Sequence, residues 1–363
     1  MPRVLVGMSG GVDSSVAAAL AVEAGDAAIG VTLKLWPCAE VDGGFTRADA
    51  CCSPRETRDA RAVAQRLGIP HYVIDAEDEF RAGVVDTTLS ELAAGRTPNP
   101  CVRCNERVKF GSLWQHARAL GAERIVTGHY ARIACRDGRL LPQRALDRRK
   151  DQSYFLATLS QEQLARACFP LGGLSKEQVR DLARARGLPT ADKHESQDLC
   201  FVGDDGLAGL LARERPELLA PGPIRDDSGR QLGTHRGIGR YTVGQRHGLG
   251  LASTEPLVVL AVDAAERCLI VGPRSRSFIR ELLVRDAVWH LAAPASALRV
   301  LARTRYRGQP QPASVHADGR VVFDEATARP APGQLCAFYD LDDELCLGAG
   351  WIVDLAASSR TVR

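Results

Sequence analysis

An apolar run at positions 4–8 passes without a break into Ser9-Gly10-Gly11-Val12-Asp13-Ser14, and this junction constrains the fold more than any other stretch of the chain. A strand has to turn straight into a helix. The helix that follows, Ser15-Val16-Ala17-Ala18-Ala19-Leu20-Ala21, is built of small residues that can lie tightly against a sheet. Backbone N–H groups and a helix N-terminus therefore converge on one point, and that point favours an anion. Paired glycines let a phosphate approach the main chain, while Ser9 and Ser14 add hydroxyl donors. The loop lacks the lysine of G-x-x-x-x-G-K-[ST], so it is not the usual P-loop. The bland alternative is an ordinary glycine-rich turn between a strand and a helix.

Downstream, apolar runs alternate with helical stretches over 28–35, 55–67, 72–74, 80–92, 109–120 and 125–127. This βαβα pattern predicts an α/β domain with a mostly parallel sheet covered by helices on both faces. Ligands of such sheets sit beyond the carboxyl ends of the strands, which gathers the glycine loop, Leu33 and Gly128 around one crevice. His129, next in line, either reaches a nucleotide there or packs as a hydrogen-bonded core histidine. Asp137-Gly138 marks a hairpin followed by a basic segment over 144–150, and Ser175 with Gln178 forms a capping box for a helix ending near Gly187.

Past position 204 the texture changes, because Pro221-Gly222-Pro223 and a run of glycines over 233–250 replace the helical periodicity. From Pro256 onward short β-branched segments separated by turn signals point to a C-terminal β-barrel or sandwich. The division expected is 1–204, a small turn-rich domain over 205–272, and a β-barrel over 273–363.

With 25% charged residues and a formal net charge of +3, composition neither demands nor excludes an RNA partner. No basic leader precedes the first strand and no apolar run approaches the roughly 18 residues of a membrane span, so a soluble, cytoplasmic protein without membrane contact is expected. The 11 cysteines read as reduced thiols rather than as a disulfide framework. Cys168, Cys268, Cys336 and Cys346 stand among apolar residues and read as small core side chains. Adjacent Cys51 and Cys52 read as spectators, and Cys38 and Cys135 have no assigned role.

Two thiols stand apart. In Asn99-Pro100-Cys101-Val102-Arg103-Cys104-Asn105-Glu106-Arg107-Val108-Lys109-Phe110 the prolines impose an extended approach, and Cys104 falls where the next helix is expected to begin. Arg103, Arg107 and Lys109 add positive potential, which favours a reactive thiolate. Cys200 lies in the polar stretch Glu195-Ser196-Gln197-Asp198-Leu199-Cys200-Phe201, a poor setting for a packing cysteine.

These motifs, together with T-G-H-Y-A-R from Thr127, K-D-Q-S-Y-F from Lys150 and Y-T-V-G-Q-R from Tyr241, occur in an order that resembles the bacterial tRNA-specific 2-thiouridylases over 3–351. S-G-G-V-D-S itself resembles the pyrophosphate loop of the PP-loop ATPases. The resemblance implies an N-terminal PP-loop ATPase domain of adenine nucleotide hydrolase-like fold, a small central domain and a C-terminal β-barrel. The implied reaction is that of a tRNA-uridine 2-sulfurtransferase. ATP with Mg2+ adenylates the uracil 2-oxygen of the wobble uridine in the tRNAs for glutamate, glutamine and lysine, and sulfur then displaces AMP.

By the same resemblance Gly7, Met8, Ser9, Gly10, Gly11, Val12, Asp13, Ser14, Leu33 and Gly128 hold ATP. Cys200 receives sulfur as a persulfide from an upstream donor or relay protein, and its terminal sulfur reaches the activated carbon directly or as hydrosulfide. Cys104 is the nucleophile that attacks Cys200 or releases the sulfur, leaving a Cys104–Cys200 disulfide to be reduced. Asn99, Pro100 and Cys101 match positions that contact the target base. Lys150, Asp151 and Gln152 match a tRNA-contacting segment, as do Arg305 and Tyr306, where arginine beside tyrosine suits phosphate contact plus base stacking.

One departure stands out. Many members of the family carry aspartate, a candidate acid/base, where this chain has Cys101. The resulting C-x-x-C, with Cys200, offers an alternative in which Cys101, Cys104 and Cys200 hold a 4Fe-4S cluster whose fourth iron takes the transferred sulfur. Zinc suits three thiolates less well, since structural zinc normally has a fourth protein ligand. Of the competing classes, another AMP-forming synthetase has no need of Cys104 and Cys200, and a non-catalytic RNA-binding protein has no need of the glycine loop.

Overall fold

The computed structural model describes residues 1–36, 54–194, 199–203, 205–253 and 255–353. Cys38, Cys51, Cys52 and positions 195–198 of the Cys200 motif lie outside the described residues. The chain forms two compact units, one comprising Met1–Val85, Pro100–Asp204 and Glu344–Cys346, the other drawing on Asp86–Asn99, Asp205–Asp343 and the chain from Leu347.

The first unit is built on a parallel sheet. Its strands are β1 (Arg3–Gly7), β2 (Ala27–Lys34), β3 (His71–Asp75), β4 (Arg124–Val126) and, beyond the hairpin β5 (Ala131–Arg136) and β6 (Arg139–Arg144), β7 (Ala167–Cys168). They lie in the order β3-β2-β1-β4-β7, every pairing parallel. Strand alternation sends Val4 and Val6 to one face, with Val126, and Leu5 to the other, with Val31 and Ile125. Helices α1 (Val12–Glu23) and α2 (Pro54–Leu67) cover the first face. The short α3 (Glu77–Phe80) leads into a π-helical stretch over Arg81–Val85 and then α4 (Asp86–Ala93).

The second face is covered by a helical run that begins as α5 (Pro100–Arg103), widens to a π-helix over Cys104–Ser112 and returns to α-winding in α6 (Leu113–Ala119). Helix α7 (Gln161–Arg166) joins it, contributing Leu164. Helix α8 (Lys176–Ala185), started by the Ser175/Gln178 capping box, packs Val179 and Ala183 onto the α1 side. The small side chains Ala17, Ala18 and Ala19 are buried on α1, and this allows α1 to sit between the sheet, α2 and α8.

The second unit contains α9 (Gly206–Glu214) and a four-stranded sheet of β8 (Gly222–Asp226), β9 (Gln231–His235), β10 (Leu257–Asp263) and β11 (Cys268–Pro273), ordered β10-β11-β8-β9. The β-branched runs at 258–262 and 269–271 thus belong to this central sheet, not to the C-terminal barrel. The barrel is a closed six-stranded one, formed by β12 (Phe278–Trp289), β13 (Leu298–Arg303), β14 (Gln311–Val315), β15 (Arg320–Ala328), β16 (Leu335–Tyr339) and β17 (Cys346–Val353). Closure removes every sheet edge. It depends on β12, whose register shifts at Ile279/Glu281 and Arg285/Val288 let one strand pair with β15 and β17. Cys268, Cys336 and Cys346 are buried, whereas Cys135 is exposed on the β5–β6 hairpin.

Candidate functional site

At the carboxyl end of β1 the chain turns through Gly10, whose φ of +73° suits glycine. A side chain there would also press into the carbonyl of Glu56. Gly128, just past β4, has the same lack of room, since a Cβ would lie 2.7 Å from the backbone nitrogen of Ser14. The loop is braced from inside. Ser14 Oγ accepts from the backbone of Ser9 at 3.2 Å and donates to the Gly11 carbonyl at 3.1 Å. Ser15 Oγ donates to the same carbonyl at 2.8 Å. Thr32 Oγ1 donates to the Met8 carbonyl at 2.7 Å, so it accepts from His71 Nε2 at 2.9 Å. Lys193 donates to the Gly10 carbonyl at 3.0 Å and pairs with Glu56 and Asp59. Burial nevertheless raises the Glu56 carboxyl above the usual range.

Asp13 stands in the first turn of α1, where the helix dipole favours a carboxylate. Its two oxygens accept from Lys176 Nζ at 2.7 and 2.9 Å, and Tyr130 OH donates to one of them at 2.8 Å. The lysine that the loop lacks in sequence therefore arrives from α8, 163 residues away. The Ser175 capping box marked the helix start, but nothing in the one-dimensional pattern paired its next residue with Asp13.

Together these elements line a cavity of about 230 Å3. Gly7, Met8, Ser9, Asp13, Ser14, Leu33 and Gly128 line it, joined by Val31, Leu35, Lys109, Leu113, Thr127, His129 and Gln152. Gly10 and Gly11 shape the turn, while the Val12 side chain packs into the core under α1. His129 is both a wall of the cavity and a packed histidine. Its Nδ1 lies 2.7 Å from Thr127 Oγ1, its ring meets Phe110 and Phe169, and burial, helped by Lys109, holds its pKa well below the ordinary value.

The thiols occupy the other end of the helix that supplies Lys109 and Leu113. That helix starts at Pro100, so Cys101, not Cys104, stands in its N-terminal turn. Cys101 is exposed and Cys104, where α-winding gives way to π-winding, is 8% exposed. Arg103 shares its charge with Glu106 at 3.4 Å. Cys200 is half-buried. Beside it Phe201 packs edge-on against Phe80 of α3 and tilts against Trp36, and α3 in turn packs on the π-stretch that begins at Cys104. Cys101, Cys104 and Cys200 are all thiols in this structure. Among the described residues no three His, Cys, Asp or Glu side chains converge as metal ligands.

The expected tRNA residues divide. Asp151 is buried and engaged by Arg144 Nε, the Ala145 backbone and Ser153, so it braces the basic segment. Gln152 accepts from the Tyr130 backbone at 2.9 Å and lines the cavity. Lys150 is half-buried. In the second unit Arg305 is exposed in a turn closed by a Gly308-to-Arg305 backbone hydrogen bond of 3.0 Å, and Tyr306 lies beneath the Arg307 guanidinium. Asn99 belongs to this unit too, 3.5 Å from Gln334, and Pro100 is buried at the head of α5. The Y-T-V-G-Q-R motif has a structural task there, for the Thr242 hydroxyl is hydrogen-bonded to that of Thr97.

Three family profiles match in succession: a tRNA methyl transferase HUP domain over residues 2–204, a tRNA methyl transferase PRC-barrel domain over 209–273 and an aminomethyltransferase beta-barrel domain over 279–352. The tRNA-specific 2-thiouridylase MnmA of Geotalea uraniireducens is 47% identical over 96% of this chain and 94% of its own length. Those of Chloroflexus aurantiacus, at 47%, and of Bradyrhizobium sp., at 44%, align with 97% and 99% of this chain and with 98% and 92% of their own lengths. With a glycine-loop cavity and this likeness along nearly its whole length, the chain belongs to the tRNA-specific 2-thiouridylase family.

Proposed function

We propose that this protein is an ATP-dependent tRNA sulfurtransferase that replaces the 2-oxygen of the wobble uridine with sulfur in the tRNAs for glutamate, glutamine and lysine. The observation that carries the reading is one helical run that supplies both Cys104 and, five residues on, the cavity-lining Lys109. It joins a nucleotide site to a sulfur site.

Uracil oxygen is a poor leaving group until it is adenylated. The apolar walls from Val31, Leu33, Leu35 and Leu113 suit an adenine ring, while the Ser9–Ser14 end offers backbone N–H groups and a helix N-terminus to the phosphates. Lys176 supplies the compact positive charge that stabilises a departing pyrophosphate, turning to it from Asp13. The Asp13 carboxylate is a hard oxygen donor of the kind that takes Mg2+ together with substrate phosphates, and Mg2+ when bound neutralises phosphate charge. His129, kept neutral by its burial, adds no charge to compete with Lys109.

Sulfur arrives on Cys200 as a persulfide from an upstream donor. Either the terminal sulfur attacks carbon 2 and Cys104 then attacks Cys200, or Cys104 attacks first and hydrosulfide adds to the carbon. Both routes expel AMP and end in a Cys104–Cys200 disulfide. Asn99, Pro100 and Cys101 face the target base, and Lys150, Arg305 and Tyr306 hold the tRNA by phosphate contact and stacking.

Incubating the protein with ATP, Mg2+, a persulfide donor and unmodified tRNA tests this reading. The expected result is AMP, pyrophosphate and 2-thiouridine in equal amounts, each dependent on tRNA. AMP formation independent of tRNA would indicate a different AMP-forming synthetase, and tRNA binding without ATP cleavage a non-catalytic RNA-binding protein.

A further inference from the structure

The C-x-x-C at the start of α5 has a third thiol that the persulfide chemistry above does not consume. Cys101 sits in the first turn, immediately after Pro100, and is exposed; Cys104 is one turn on and buried. Residues three apart on a helix have Cβ atoms about 5–6 Å apart, so a modest closure brings their sulfurs to bonding distance. The three thiols are thus graded, from Cys101 in solvent through Cys104 in the protein to half-buried Cys200. We propose that Cys101 is a resolving thiol, which attacks the Cys104–Cys200 disulfide left by each turnover and converts it to a Cys101–Cys104 disulfide that an external dithiol can reach. The proposal rests on the persulfide reading, whose product disulfide it takes as its substrate.

Each step balances. In the turnover the Cys104 thiolate bonds to Cys200 Sγ, and the electron pair of the broken persulfide bond leaves on the transferred sulfur. The Cys101 thiolate then bonds to Cys104 Sγ, the Cys104–Cys200 bond breaks, and Cys200 departs as a thiolate ready for new sulfur. No net oxidation occurs in this exchange. A soluble dithiol reductant finally attacks Cys101 Sγ and Cys104 leaves as a thiolate; the reductant's second thiol then attacks its own sulfur of the mixed disulfide, Cys101 leaves as a thiolate, and the reductant departs as its disulfide.

One physical feature favours this order. Attack within one helical turn is intramolecular and has a high effective concentration, whereas a bulky reductant has to reach a disulfide whose Cys104 sulfur is buried. The position carries the same requirements as the exposed member of a C-x-x-C redox pair.

The test is a single turnover by the full chain, preloaded with sulfur on Cys200, given tRNA and ATP without reductant, quenched in acid, alkylated and mapped by mass spectrometry. Wild type should end with Cys101 joined to Cys104 and Cys200 alkylated. In Cys101→Ser the Cys104–Cys200 disulfide, formed by chemical oxidation so that no turnover is asked of the variant, should be reduced by a dithiol at least tenfold more slowly than the wild-type disulfide. Wild type that retains a Cys104–Cys200 disulfide, or equal reduction rates, would overturn the relay while leaving the persulfide reading intact. Production of 2-thiouridine by wild type with Cys104 and Cys200 both alkylated would overturn the reading and the relay together.

Discussion

The two ends of the helical run from Pro100 to Ala119 are built on opposite principles. At the nucleotide end, the loop is clamped. Gly10 and Gly128 leave no room for a side chain, Ser14 and Ser15 tie off Gly11, and Lys176 and Tyr130 fix Asp13. At the thiol end, Cys104 sits where the winding changes from α to π, and Cys200 is anchored through its neighbour Phe201. Phosphate binding rewards preorganised donors. Sulfur transfer has to let a thiol meet successive partners, so only its surroundings can be fixed.

The comparison is sharpest in the chemistry of the two ends. Cys104→Ala or Cys200→Ala should lower 2-thiouridine formation by at least about a thousandfold, as loss of a nucleophile does. Cys200→Ala should still release pyrophosphate when tRNA and ATP are mixed. Lys176→Met should do the reverse and slow pyrophosphate release itself, by roughly 100- to 1000-fold, the scale of one lost charge-stabilising donor. If Lys176→Met released pyrophosphate at the normal rate while failing only in sulfur transfer, the division of labour along the helix would be wrong.

Smaller effects probe the clamp. Gly10→Ala forces a side chain into a left-handed backbone and against Glu56, and should destabilise the first unit by about 1–3 kcal/mol, read as a lowered denaturant midpoint. A variant as stable as wild type would mean that the loop is not clamped.

His129 allows a test by pH. An imidazole in the unfolded chain takes a proton near pH 6.5, whereas buried His129 resists it, so the unfolded state binds more protons as pH falls through that value. This contribution to stability is complete above about pH 6.5 and shrinks below it. His129→Asn should therefore show a shallower fall in melting temperature between pH 7 and 5 than wild type, and an identical fall would remove His129 from the balance. The smallest effect belongs to the tRNA surface. Lys150→Ala and Arg305→Ala should each reduce the slope of log affinity against log salt by about 0.7–0.9, the signature of one lost phosphate contact.

The sequence by itself determined the phosphate loop, the parallel sheet with its two covered faces and the barrel that ends the chain. Each is written in a local pattern, glycines where backbone must approach backbone and apolar residues at the period of a strand or helix. It also marked Cys104 by the basic residues around it and Cys200 by its polar stretch. Tertiary structure decided what no local pattern carries. It brought Lys176 to Asp13, turned Val12 and Asp151 inward, and set the runs at 258–262 and 269–271 in the central sheet. It also started the thiol helix at Pro100, so that the exposed end of C-x-x-C is Cys101. An ion pair across 163 residues or the burial of one cysteine of two depends on how separate elements pack. Packing is a property of the whole fold, which short-range periodicity does not encode.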